Sequence, residues 1–172
     1  TLTGFENVLG SDYNDTLTGN SAANILTGGD GNDLLVAGAG GADSLIGGSG
    51  TDTASFSDAA SGVTITINGS GTNADGATVT LTGMENLTGS AHNDTLTGDS
   101  SANLIIGGAG DDIIDAMGGV DTVSYASATA AVSVDLAAIG TNVTGGAGSD
   151  SLSNVENIIG SAYGDTISGD GA

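Results

Sequence analysis

Apolar residues recur along most of this chain at intervals of nine, each one following a glycine-rich stretch. In the unit GGDGNDLLV at 28–36, the recurring apolar position is the eighth, Leu35. A fixed short period of this kind predicts a stacked repeat rather than an ordinary globular domain. The eighth place is held by Leu17, Leu26, Leu35, Leu45, Ala54, Leu96, Ile105, Ile114, Val123, Leu152 and Ile167.

The sixth place of each unit carries an acid or, in two units, an asparagine. Glycines at the first, second and fourth places give the loop before it access to positive φ and allow its carbonyls to turn inward. Each unit is therefore predicted to be a six-residue turn followed by a three-residue strand. The sixth place is held by Asp15, Asn24, Asp33, Asp43, Asp52, Asp94, Asn103, Asp112, Asp121, Asp150 and Asp165.

Two units make one coil of about 18 residues, so that units i and i+2 lie on the same side of the stack. Side chains at the sixth place are then predicted to share an edge in the sets Asp15/Asp33/Asp52, Asn24/Asp43, Asp94/Asp112 and Asn103/Asp121.

A longer repeat lies above the short one, because residues 2–26 match residues 81–105 and a third copy begins at 152. This divides the chain into a first superrepeat at 1–80, a second at 81–151 and the start of a third at 152–172, and we expect it to be an excerpt of a longer protein. The segment 28–56 holds one more short unit than 107–125.

Each superrepeat also contains a segment in which apolar and polar residues alternate. Val63, Ile65 and Ile67 fall on one face of the first, and Val132, Val134 and Leu136 fall on one face of the second. Strict alternation predicts a half-buried strand, and no segment has convincing helical periodicity. The sequence predicts an all-β solenoid.

The composition requires a source of positive charge outside the chain. It has 21 acids and neither Lys nor Arg, a formal charge of −21, and no Cys or Pro. Stacked carboxylates without a cation repel one another, so bound cations are expected. Hard oxygen ligands favour Ca²⁺, and one His with no Cys argues against zinc. The same negative charge excludes nucleic acid as a partner, and no apolar run is long enough to insert in a membrane.

These loops resemble the RTX, or haemolysin-type, calcium-binding nonapeptide repeat, G-G-x-G-x-D-x-U-x. The loops of 28–36, 47–55, 107–115 and 145–153 match it, and the likeness covers about two-thirds of the chain. The resemblance implies a parallel β-roll that binds several Ca²⁺ ions between adjacent turns, in a bacterial protein exported by type I secretion. The implied metal-site residues are Asp15, Gly28, Gly29, Gly31, Asp33, Asp43, Gly47, Gly48, Gly50, Asp52, Asp94, Gly107, Gly108, Gly110, Asp112, Asp121, Gly145, Gly146, Gly148, Asp150 and Asp165.

The loops depart from this pattern to different degrees. Those ending at Asn24 and Asn103 lack both the second glycine and the acid, so they are expected to bind weakly or not at all. The three GS loops keep the acid but lose glycines and are intermediate. The strongest sites are expected between 28–33 and 47–52 and beside 107–112 and 145–150.

Other candidate residues receive structural interpretations. His92 occupies the place of Tyr13 and Tyr163, which favours a semi-exposed packing residue over a catalytic or metal-binding one. Glu6, Glu85 and Glu156 recur at one place, where a cap or turn hydrogen bond is favoured over metal ligation. Outward apolar residues such as Leu34, Val36, Leu104 and Ile106 predict a stripe, covered either by the alternating strands or by another copy of the protein.

No nucleophile–base pair, acid–base pair or cofactor motif is evident, so the segment is predicted not to be an enzyme. The leading hypothesis is a calcium-dependent structural segment of an extracellular or surface protein, such as an adhesin stalk, surface layer or fibre. The alternative is the secretion and folding module of an exported protease, lipase or epimerase. Self-association into fibres, and a cell-surface or carbohydrate ligand bound elsewhere in the protein, are the partners considered.

Overall fold

The computed structural model describes residues 6–138, 141, 143–169 and 171. Within them it contains strands, turns and bends but no helix. The strands are β1 Asn7–Leu9, β2 Thr16–Thr18, β3 Ile25–Asp30, β4 Leu34–Val36, β5 Ser44–Ser49, β6 Thr53–Ser55, β7 Thr64–Thr66, β8 Ser70–Thr72, β9 Thr78–Thr82, β10 Asn86–Thr88, β11 Thr95–Thr97, β12 Leu104–Ile106, β13 Ile113–Asp115, β14 Thr122–Ser124, β15 Val132–Asp135, β16 Val143–Gly145, β17 Ser151–Ser153, β18 Asn157–Ile159 and β19 Thr166–Ser168.

Successive nonapeptide strands alternate between two sheets. One sheet has seven strands in the order β18-β14-β12-β10-β6-β4-β2, and all its neighbours are parallel. The other has nine strands in the order β1-β3-β5-β9-β8-β7-β11-β13-β17. Register confirms the coil length, because Thr16 pairs with Leu34 one coil further on, and Ile25 pairs with Ser44 across the extra residue Ala37. The fold is a parallel roll, as predicted.

The eighth residue of each unit points into the space between the sheets. Leu26, Leu35, Leu45, Leu96 and Ile105 are fully buried there, and they belong to one continuous apolar core. Ile167 was also predicted to lie inward, but it is 47 % exposed. Its strand β19 is at the end of a small three-stranded sheet, β16-β15-β19, so one side of it has no neighbouring strand to cover it.

Each alternating segment forms a strand that leaves the regular coil and pairs antiparallel with the strand that follows it. In the first superrepeat β7, β8 and β9 pair antiparallel and are inserted between β5 and β11 of the nine-stranded sheet. Val63, Ile65 and Ile67 are buried, as the alternation predicted. Of the two covers considered for the outward apolar stripe, this segment does not reach Leu34: it extends a sheet edge to edge, and Leu34 on the other sheet stays 37 % exposed.

The extra short unit in the first superrepeat changes the side on which later units lie. One unit is half a coil, so an odd number of additional units moves a repeated sequence to the opposite sheet. Accordingly β1 lies in the nine-stranded sheet, whereas its sequence counterparts β10 and β18 both lie in the seven-stranded sheet.

Candidate metal centres between stacked loops

Carboxylates at the sixth place of the loops form ladders along the edges of the roll. In each step one oxygen of the carboxylate accepts the backbone N–H of the sixth residue one coil earlier. Asp33 Oδ1 accepts from Asp15 at 2.8 Å, and Asp52 Oδ1 accepts from Asp33 at 2.8 Å. The predicted set Asp15/Asp33/Asp52 is therefore brought together by the fold.

The other predicted sets form in the same way. Asp43 Oδ1 accepts from Asn24 at 2.9 Å, Asp112 Oδ1 from Asp94 at 2.9 Å, and Asp121 Oδ1 from Asn103 at 2.7 Å. One step was not predicted: Asp150 continues the ladder of Asp112, with a bond of 3.0 Å across 38 residues of sequence. The residues between them form β13 and β14 of the coil and then β15 and β16, which leave the coil before it resumes at β17.

The second oxygen of most ladder carboxylates is buried and has no hydrogen-bond donor among the described residues. Such an atom carries negative charge away from water without compensation, which is costly unless a cation or proton is present. The atoms concerned are the Oδ2 oxygens of Asp33, Asp43, Asp52, Asp112, Asp121 and Asp150.

Burial changes the titration of these groups. It raises the pKa of the Asp43, Asp52, Asp121 and Asp150 carboxyls above their ordinary value of 3.8. For Asp112, burial and then the neighbouring charges of Asp150, Asp94 and Asp111 raise the pKa to about 7. These carboxylates therefore lie in surroundings that favour a bound proton or cation. The chain has no Lys or Arg to supply that positive charge.

Glycine at the first place leaves room beside the unpaired oxygen. A Cβ on Gly28 would fall on Asp33 Oδ2 and would lie 2.7 Å from the carbonyl oxygen of Gly47, in the next loop of the stack. A carboxylate oxygen and a backbone carbonyl oxygen from two loops therefore converge on one small space. Among the described residues no three acidic, His or Cys side chains converge, so backbone carbonyls must complete any ligand set.

The loops for which the strongest sites were expected do stack on each other. Gly31 N–H donates to the carbonyl of Ser49 at 2.9 Å, and Gly110 N–H donates to that of Ala147 at 3.0 Å. The second- and fourth-place glycines of three loops all have φ between 117° and 141°: Gly29, Gly31, Gly48, Gly50, Gly108 and Gly110. Gly107, at the first place of its loop, faces Asp112 Oδ2 as Gly28 faces Asp33.

The loop at 145–150 departs from the others in its first half. Gly145 ends β16 and exchanges both backbone hydrogen bonds with Gly148, and a Cβ on Gly146 would meet the backbone of Ala130. Gly145 and Gly146 therefore pack against the excursion instead of facing a carboxylate. Gly148 stacks on Gly110, and from there the loop has the expected geometry.

The three GS loops satisfy their own carboxylates. Ser11 N–H and Oγ donate to Asp15 Oδ2 at 2.5 and 2.8 Å. In the later copies Ser90 donates to both oxygens of Asp94 at 2.6 and 2.8 Å, and Ser161 donates to both oxygens of Asp165 at 2.6 Å. Hydrogen bonds from Ser161 and from the Val132 N–H lower the pKa of Asp165. Serine at the second place thus supplies donors where the glycine loops supply none.

One set of polar contacts was missed by sequence reasoning. At the fifth place, Asn14 accepts from Asn32 N–H at 2.8 Å and Asp111 accepts from Ser149 N–H at 2.9 Å, a second ladder beside the first. Recurrence of Asn or Asp at the fifth place was the available signal. At the turns before β10 and β18, Glu85 and Glu156 accept backbone N–H groups, as the sequence favoured, and they take the acceptor place that aspartate holds elsewhere.

The unpaired aspartate oxygens, the adjoining carbonyls and the space kept by glycine fit a hard divalent cation. The fold and the site define a parallel β-roll of calcium-binding repeats. The family model described as the RTX calcium-binding nonapeptide repeat, in four copies, matches residues 9–40, 36–54 and 88–123. Just under half of the chain matches that family, as the sequence motifs indicated; its repeats bind Ca²⁺, and several copies imply several ions. A comparison with curated proteins finds no match.

Two further observations bear on other functions. His92 is exposed, like Tyr13 and Tyr163 at the same place of the repeat. Among the described residues its side chain takes no part in the carboxylate ladders. In the part of the chain that the structure describes, no helix has the length and apolarity needed to cross a bilayer.

Proposed function

We propose that this segment folds when it binds Ca²⁺ outside a bacterial cell and then acts as a stiff spacer in a surface or extracellular protein. A calcium-binding structural role is a property of RTX repeats, which are typical of secreted bacterial proteins. The observation that carries the proposal is the set of six buried Oδ2 atoms without donors, in a chain without Lys or Arg.

We assign the ligands by loop pairs. The Asp33 carboxylate and the Gly47 carbonyl hold an ion between 28–33 and 47–52, and Asp112 with the Asp150 loop holds one in the second superrepeat. Asp43 and Asp52 offer the same unpaired oxygen, and so does Asp121, although Ala116 stands there in place of the first glycine. Asp15, Asp94 and Asp165 are weaker ligands because serine already occupies their lone pairs.

Calcium concentration supplies the switch. Where Ca²⁺ is scarce, the buried carboxylates repel and the chain stays unfolded. At millimolar Ca²⁺ and a dissociation constant on the order of 10⁻⁴ M, each ion stabilises the folded state by about 1.4 kcal/mol. Five such ions together contribute about 7 kcal/mol, which is comparable to the net stability of a small domain.

A spacer is favoured by the continuity of the seven-stranded sheet. It passes from the first superrepeat into the second through the direct pairing of β6 with β10, and then to β18 at the start of the third. We treat 1–80, 81–151 and 152–172 as successive superrepeats of one rod, rather than as domains separated by linkers. The secretion module of an exported enzyme is the competing function.

We also infer that the segment has no catalytic role of its own. RTX rolls are structural folds, and the buried acids here are engaged in ladders instead of facing a common cleft.

The test is a calcium titration of the purified 172-residue chain, followed by far-ultraviolet circular dichroism. We expect a cooperative gain of β signal with Ca²⁺, its loss with excess chelator, and a much weaker response to Mg²⁺, which demands stricter octahedral geometry. The same β signal in chelator and in Ca²⁺ would exclude calcium-coupled folding. Electron microscopy of calcium-loaded material then separates rods, expected for a spacer, from compact single particles.

A further inference from the structure

Each ladder on the edge of the seven-stranded sheet ends at a glutamate. Asp52 N–H donates to Glu85 Oε2 at 2.8 Å, and Asp121 N–H donates to Glu156 Oε2 at 2.8 Å. These lengths equal the bond from Asp33 N–H to Asp52 Oδ1. Glu85 therefore stands where the next aspartate of a ladder would stand, although it lies outside the residues that the repeat family matches.

The turn that carries Glu85 places a backbone carbonyl where the second loop places one in a site between two nonapeptide loops, and it does so with fewer residues. Gly83 has a φ of 63°, and its carbonyl oxygen is directed at the first glycine of the preceding loop, Gly47. A Cβ on Gly47 would meet that oxygen and would lie 2.5 Å from Asp52 Oδ2. The same arrangement joins Gly28, Asp33 and the carbonyl of Gly47 one coil earlier.

The turn is also held rigidly. The Asn68 side chain accepts from Met84 N–H at 2.9 Å and donates to the Met84 carbonyl at 3.0 Å. The Met84 side chain is 1 % exposed and packs in the core. A ligand set on this turn is therefore positioned before an ion arrives, which lowers the ordering cost of binding.

We propose that Asp52, Gly83 and Glu85 form a further calcium site, which lies outside the nonapeptide consensus and closes the ladder of the first superrepeat. Asp52 supplies the fully buried, unpaired Oδ2, Gly83 supplies a carbonyl, and Glu85 supplies the oxygen that does not accept from Asp52. The proposal rests on calcium binding by the neighbouring loops and adds a ligand type to it.

The second superrepeat contains the glutamate and, at Asn154, a φ of 55° like that of Gly83, but it lacks the glycine beside the aspartate and the asparagine that holds the turn. Ala116 stands at the place of Gly47, so that a methyl group fills the space beside Asp121. The alternating strand offers Ala137 where the first has Asn68, and a cavity of about 210 Å³ lies beside this turn, lined in part by Leu136, Asn154 and Glu156. Glu156 is exposed, and we assign no ion to it.

The direct test is long-wavelength anomalous diffraction from crystals of the calcium-loaded chain. A calcium peak bounded by Asp52, Gly83 and Glu85 is expected, in addition to the peak between loops 28–33 and 47–52. Peaks between the nonapeptide loops with none at Glu85 would overturn this inference and leave the proposed function intact. No calcium peak anywhere would contradict the proposed function itself.

A variant pair adds a measurement in solution. Glu85→Gln retains an oxygen that accepts from Asp52 N–H but removes the charge, so equilibrium dialysis is expected to show one bound ion fewer than in the unsubstituted chain. Glu6→Gln is the matched control, since Glu6 has the same place in the repeat but is exposed. Equal stoichiometry and affinity for Glu85→Gln and Glu6→Gln would overturn the inference. Should Glu85→Gln fail to fold, the diffraction result decides.

Discussion

Asp112 and Asp150 are joined by one hydrogen bond, in which the backbone N–H of Asp112 donates to Asp150 Oδ1 at 3.0 Å. Both carboxylates keep a buried second oxygen that accepts no hydrogen bond of standard geometry, and the buried Tyr125 hydroxyl lies beside Asp150. Two like charges held this close without a cation favour uptake of either a proton or a metal ion. Ca²⁺ and H⁺ should therefore compete for this pair.

Calcium binding near neutral pH is expected to release protons. The raised pKa of Asp112, about 7 against an ordinary 3.8, means that protonation stabilises the metal-free fold. This stabilisation is fully present below the unfolded value of 3.8 and is lost as the pH rises through about 7. The metal-free chain should therefore be more ordered at about pH 5 than at about pH 8.

Calorimetry of calcium binding in two buffers of different ionisation enthalpy measures this release. Asp112→Asn should reduce the number of protons released, whereas Asp30→Asn, at the exposed end of β3, should not. Identical apparent enthalpies in the two buffers near pH 6.5 would contradict the competition.

Replacement of Asp33 should weaken calcium-dependent folding far more than replacement of Asp15. Asp33→Asn keeps an oxygen that accepts from Asp15 N–H but removes the charge at the unpaired Oδ2. The loss of one site corresponds to about 1.4 kcal/mol, or about tenfold in the equilibrium constant for folding at millimolar Ca²⁺. Asp15→Asn perturbs a carboxylate that Ser11 already satisfies. Calcium titrations followed by circular dichroism measure both, and equal shifts in the midpoint would refute the distinction.

The sequence predicted the short strands, the inward eighth residue and the sharing of edges by sixth-place acids, because these follow from a period of nine and a half-coil unit. It did not reveal that Ser11, Ser90 and Ser161 donate hydrogen bonds to the carboxylates of their own loops. In the sequence, serine in place of glycine appears only as a departure from the calcium-binding motif. The sequence also left open where β7 and β15 lie, because alternation specifies one buried face but not the strand beside it. That neighbour is set by contacts distant in sequence.

Serine at the second place should act as a switch between a self-capped loop and a calcium loop. Ser90→Gly removes the hydroxyl from Asp94 and permits the positive φ seen at Gly29 and Gly108. We expect this variant to bind one more ion, or to bind more tightly at the loop stacked on 107–112. Ser90→Ala loses the hydrogen bond, at a cost of about 1 kcal/mol, without gaining the glycine conformation. It should therefore show lower stability and no added ion; equal calcium stoichiometry for the glycine variant and the unsubstituted chain would argue against the switch.

A methyl group at the first place of a glycine loop should block the ion site directly. In Gly28→Ala the new Cβ would fall on Asp33 Oδ2 and press on the Gly47 carbonyl oxygen, the two groups assigned to the ion between loops 28–33 and 47–52. Overpacking of this kind typically costs 1–3 kcal/mol, and loss of the ion adds about 1.4 kcal/mol at millimolar Ca²⁺. Gly164→Ala is the matched control, because nothing lies within 4 Å of a Cβ built there. Calcium titrations followed by circular dichroism, together with equilibrium dialysis, separate the two contributions: Gly28→Ala should fold at higher Ca²⁺ than Gly164→Ala and should bind one ion fewer. A shifted midpoint with an unchanged number of bound ions would mean that the methyl affects packing alone.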